Sequence, residues 1–77
     1  MEKKYMNLLT LYLNSWTDTS KNDPRKKIYL SWSQFPFELL NQLENEEFLV
    51  QIKGKKIIIL TEKGIKKSEE LKKELNL

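Results

Sequence analysis

Seventy-seven residues make one small domain, and the absence of cysteine and histidine denies it the disulfides or zinc that often supplement so small a core. The same absences remove thiol and imidazole chemistry, and there is no Gly-rich phosphate loop and no acidic pair in an apolar setting, so the sequence predicts no enzyme, cofactor, metal site or small-molecule substrate. The net charge of +3 is unevenly spread: residues 28–52 hold four glutamates and no Lys or Arg, −4, while the remainder holds all 14 basic and seven acidic residues, +7.

The chain begins with a predicted helix over about 2–16. Met6, Leu9, Leu13 and Trp16 recur at helical spacing, and Tyr5, Leu8, Leu11 and Tyr12 form a second apolar flank. An apolar arc this wide fits either a central helix packed on two sides or a helix that also touches a second subunit. The start resembles a signal peptide only superficially, because Asn7, Thr10 and Asn14 interrupt the apolar run and no small-residue cleavage site follows. No stretch approaches the roughly 20 apolar residues that span a bilayer. The expectation is a cytoplasmic protein without a membrane partner.

Residues 17–27, "TDTSKNDPRKK", read as an exposed basic loop, since Thr, Asp, Ser and Asn compete with regular structure and Pro24 disfavours helix at Asp23. Lys21, Arg25, Lys26 and Lys27 carry its charge. "IYLSW" (28–32) alternates as a short strand. Ser33 reads as the N-cap of a helix over about 34–47, with Pro36 in its first turn. Pro36, Leu39, Leu40 and Leu43 share one face of that helix. Glu38, Asn41, Gln42 and Asn45 share the opposite one, flanked by Phe37 and Glu44. Two strands follow, "FLVQI" and "KKIIIL", joined by a tight turn in which Gly54 supplies positive φ. The unbroken run Ile57–Ile59 predicts a strand covered on both faces. Thr61 reads as the N-cap of a last helix over about 62–75, with Gly64, Ser68, Leu71 and Leu75 on its inner side.

The fold class is therefore α+β, in the order helix, short strand, helix, β-hairpin, helix. The stretch "SQFPFELLNQLENEEFLVQIKGKKIIILTEKGIKKSEEL" (33–71) resembles a winged helix-turn-helix domain. Its "LLNQLENEEFL" rhythm is similar to that of MarR-like and PadR-like regulators where the recognition helix enters the wing. The whole chain also resembles a family of small, uncharacterised single-domain bacterial proteins. The resemblance implies a single winged-helix-like domain over 1–77, a wing formed by the "FLVQI" and "KKIIIL" strands and a recognition position at 34–47. It departs from the pattern between 17 and 32, where the supporting helix is replaced by loop and strand.

Two functional expectations from different classes follow. One is a regulatory module that meets DNA or RNA phosphates through the wing lysines Lys53, Lys55 and Lys56, joined by Arg25, Lys26 and Lys27 of the loop. The other is a protein-interaction module: a homodimer, an adaptor or an inhibitor from a mobile element. It would use Phe37, Glu38, Asn41, Gln42, Glu44 and Asn45 of the acidic helix with Tyr5 and Tyr12 of the first. Asn and Gln suit an adenine edge, but a helix of four glutamates and no cation is repelled by a phosphate groove. Trp16, Trp32 and Phe35 read as core, and Phe37 as the aromatic nearest the surface.

Overall fold

The computed structural model describes residues 2–19 and 23–77. The elements are α1 (Lys3–Leu13), β1 (Trp16–Thr19), β2 (Lys27–Trp32), α2 (Phe37–Asn45), β3 (Leu49–Gln51), β4 (Ile57–Leu60) and α3 (Glu62–Glu74). The four strands form one antiparallel sheet in the order β1-β2-β4-β3. The predicted α+β class and element order hold, with one addition. Residues 17–27 are not wholly loop. Trp16–Thr19 pairs with Lys27–Leu30 as a strand, so a hairpin stands between α1 and α2. Thr17 and Thr19 suit a strand, and a turn at Asp23–Lys26, where Lys26 N–H donates to the Asp23 carbonyl, leads into β2. Lys21 lies outside the described residues.

All three helices gather on one face of the sheet. Leu8 and Leu11 of α1, Leu40 and Leu43 of α2, and Phe48, Leu49, Ile58 and Leu60 of the sheet form a single core cluster. Burying a large aliphatic side chain contributes roughly 1.5–3 kcal/mol, so these eight positions dominate the stability. Tyr5 packs edge-on against Phe48 and Tyr12 stacks on Tyr29. The flank containing Tyr5, Leu8, Leu11 and Tyr12 is therefore the inner one. Of the four residues expected to form the main face of α1, only Leu9 is buried, while Met6, Leu13 and Trp16 are exposed. Two stripes of equal hydrophobicity cannot be ranked by periodicity alone. Leu75 also departs from expectation, standing exposed beyond the last turn of α3.

The α2–β3 corner locks this arrangement. Helix α2 starts at Pro36 rather than Ser33, and Pro36 is itself exposed. The helix ends in a Schellman turn: Phe48 N–H donates to the Leu43 carbonyl, Glu47 N–H donates to that of Glu44, and Glu47 takes φ +66°. Phe48 then accepts from Thr61 N–H across the end of β4. Thr61 caps α3 as predicted, its hydroxyl accepting from Gly64 N–H at 3.0 Å and donating to the Glu47 carbonyl. Gly64 lies directly against the Phe48 carbonyl, so a methyl placed on it would meet the carbonyl carbon at 2.9 Å and the oxygen closer still. Gly54 differs: it has φ +81° and open space around it. Gly64→Ala is expected to cost about 3 kcal/mol, against about 1 kcal/mol for Gly54→Ala. Urea unfolding of the two variants checks that ranking; equal losses would contradict the close packing.

Candidate interaction surfaces

Strand periodicity sends alternate side chains to the uncovered side of the sheet. The registers align one rung across all four strands: Trp16, Leu30, Ile59 and Val50. Beside it lie Trp32 and Ile57, paired in register. Except for Asp18 at one corner, opposite Ile28, the residues of this face are apolar. Among the described residues no element covers it. Trp32 is 60% exposed, Val50 49% and Trp16 38%, and the two indoles contact each other at 5.6 Å between centroids. Trp16 and Trp32, expected in the core, thus belong to an open face. The Ile57–Ile59 run, expected to be covered on both sides, is covered on one: Ile58 is buried while its neighbours are half-buried. The alternation of Ile28, Leu30 and Trp32 is legible in the sequence, but that it faces outward beside Trp16 follows only once β1 is recognised as a strand.

The candidate phosphate-binding residues do not form one patch. Lys53, Lys55 and Lys56 are exposed at the β3–β4 turn, and the Lys56 carbonyl accepts from Ser33 N–H just past Trp32. Lys26 and Lys27 sit near Leu60, Thr61 and the start of α3, at the other end of β2. A strand rises about 3.3 Å per residue, so the two groups are roughly 20 Å apart. Arg25 is exposed and lies near Asp23, its Nε 3.8 Å from Oδ1.

The polar residues of α2 are partly committed within the fold. Gln51 Nε2 donates to Asn41 Oδ1 at 2.8 Å, and Gln51 N–H donates to Glu44 Oε1 at 2.6 Å. The second bond occupies an outward-facing donor of β3 and blunts that sheet edge. Asn41 is half-buried rather than fully outward. Glu38, Gln42 and Asn45 remain exposed, as does Phe37 at 69%. Phe37 lies at the mouth of a cleft of about 330 Å³ that reaches to the Lys53–Lys56 turn. Tyr5 and Tyr12, expected at a partner surface, are instead half-buried against the core.

Lysines roof the inner aromatics: Lys67 lies 4.6 Å from the Tyr5 ring centroid and Lys63 5.1 Å from that of Phe48. Lys63 also donates to the Glu46 carbonyl, and Lys4 Nζ donates to Glu46 Oε1 at 2.9 Å. That bond raises the Lys4 pKa above its usual 10.5, outweighing burial. Burial, then the nearby Glu69 and Tyr29, push the Tyr12 hydroxyl above its usual 10.0. The described residues contain no cluster of metal-ligating side chains and no helix long and apolar enough to cross a membrane.

The architecture defines a small α+β domain with three helices on one side of an antiparallel sheet. Residues 3–77 match a domain of unknown function (DUF6429), and the chain belongs to that family. No curated protein and no solved structure matches it.

The two raised pKa values make a prediction of definite sign. A native value above the unfolded one gives stability that is complete below the unfolded pKa and is lost as pH rises through the native value. Melting temperature should fall above about pH 10 through both groups. The combined Lys4→Met and Tyr12→Phe variant should fall less steeply over that range; an identical decline would contradict the assignment.

Proposed function

We propose that this domain is a non-enzymatic interaction module of the cytoplasm that pairs with a second copy of itself through the open face of its sheet. The observation that carries the reading is the rung Trp16–Leu30–Ile59–Val50 with Trp32 and Ile57 beside it, apolar and uncovered. A contiguous apolar patch of a few hundred Å² is the kind of surface that marks a contact site on small soluble proteins. The face offers roughly 500 Å² per copy, so face-to-face pairing would bury about 1,000 Å², the lower edge of specific interfaces. A second copy suits the face because its centre is uncharged. Two such sheets can stack about 10 Å apart without bringing like charges together there. Pairing would also add burial to a 77-residue chain that has no cysteine or histidine to staple it.

Winged-helix binding of DNA or RNA phosphates has less support. A hairpin stands where the supporting helix would be, the recognition position is acidic, and the lysines of the turn and those of the loop lie at opposite ends of the sheet. An adaptor or inhibitor role would use the same open face for another protein.

Sedimentation equilibrium should detect a species of twice 9.3 kDa as concentration rises from about 1 µM to about 500 µM. Trp32→Glu and Ile59→Lys should each remain monomeric with an unchanged helical circular dichroism spectrum. A wild type that is monomeric throughout would overturn the proposal. So would a dimer that survives both substitutions, which would point instead to the exposed β1 edge.

A further inference from the structure

The open sheet face leaves a second feature unexplained. Between the start of α2 and the β3–β4 turn lies the cleft of about 330 Å³. Its floor is apolar: Leu40 and Ile58 are buried there and Phe35 is half-buried against the core. Its rim on the turn side is Lys53, Lys55 and Lys56, and no aspartate or glutamate lines it. None of the ion pairs among the described residues involves these three lysines. Phe37 stands exposed at the mouth.

We propose that this cleft binds a short acidic peptide segment, seating one large apolar side chain on the floor while flanking carboxylates meet the lysines. Charge complementarity selects the sign of the partner. The recessed apolar floor selects a peptide over a nucleic acid, because an inserted side chain fills a cleft whereas a base needs a free flat ring on which to stack. Phe37 offers one exposed ring, and the oligothymidine comparison below tests that alternative. Lysine rather than arginine on the rim suits point-charge attraction without bidentate geometry, which fits a weak, salt-sensitive, reversible contact. The inference rests on the lysine rim and the floor of Leu40, Ile58 and Phe35; it shares Ile57 with the self-pairing face but does not require self-pairing.

Fluorescence anisotropy with a labelled peptide of Asp and Glu flanking one Phe tests the site on the full chain. Binding is expected at low salt, at least about tenfold weaker when the probe's Phe is replaced by Ala and at least about tenfold weaker for Lys53→Glu/Lys55→Glu or Phe37→Ala. These positions lie in an exposed turn and on an exposed helix face, so folding should be unaffected, and thermal melts check that. No binding by the wild type would overturn the proposal. It would fall equally if the Ala probe bound as well as the Phe probe, or if a single-stranded oligothymidine of the same charge bound more tightly. Sedimentation of the same variants separates this outcome from self-pairing, which should be unchanged.

Discussion

The Phe48 carbonyl is the point on which the fold turns. It accepts from Thr61 N–H at 3.1 Å, closing the end of the β3–β4 pair, and it lies against the Cα of Gly64, drawing α3 onto the same corner. The Schellman turn at the end of α2 delivers Phe48 to that place, and the Thr61 hydroxyl ties the preceding carbonyl of Glu47 to the cap of α3. Three elements are thereby fixed against one backbone unit. Lys4 and Lys63 add further ties to Glu46 from α1 and α3. The Lys4 pair is only partly buried, so solvent still screens it and its contribution is modest.

This corner decides which side of the sheet is dry. With α2 and α3 joined to the same end of β3 and β4, and α1 packed against α3 and β2, the helices occupy one face. Ser31 and Ile58 are driven into that side, while Leu30, Ile59 and their neighbours are left on the other. The fold thus generates an apolar surface that it cannot itself cover. Among the described residues no element lies on that side, which is why the self-pairing proposed above is sought there.

Much of this was legible in the sequence because local chemistry and tertiary structure agree. Thr61 and Gly64 announce a cap and a close approach three residues apart, and both do what their side chains suggest. Gly54 marks its turn by the same logic. The α2 stripe of Leu39, Leu40 and Leu43 identifies the side turned inward. The illegible parts share a cause: an apolar side chain reports a preference for burial but not whether a neighbour exists to bury it. Trp16 and Trp32 therefore read as core. Met6 and Leu13 read as the inner stripe of α1 because the competing stripe is equally apolar. The strand Trp16–Thr19 was hidden by Asp18 and by the turn residues after it, and without that strand the open face could not be assembled. Whether the lysines of the β3–β4 turn and those of the loop are neighbours is not written in the sequence; the antiparallel register of β2 and β4 puts them at opposite ends of the sheet.

Self-pairing through the outward rung of the sheet would bring the Trp32 indole of one copy against the other. Isotope-filtered nuclear Overhauser spectroscopy on a mixture of labelled and unlabelled protein, at a concentration where pairing is complete, tests it most directly. The account predicts intermolecular contacts between the Trp32 indole and the methyl groups of Leu30, Ile57 and Ile59. Contacts confined to single molecules, or arising instead from α2 or the β1 edge, would contradict it.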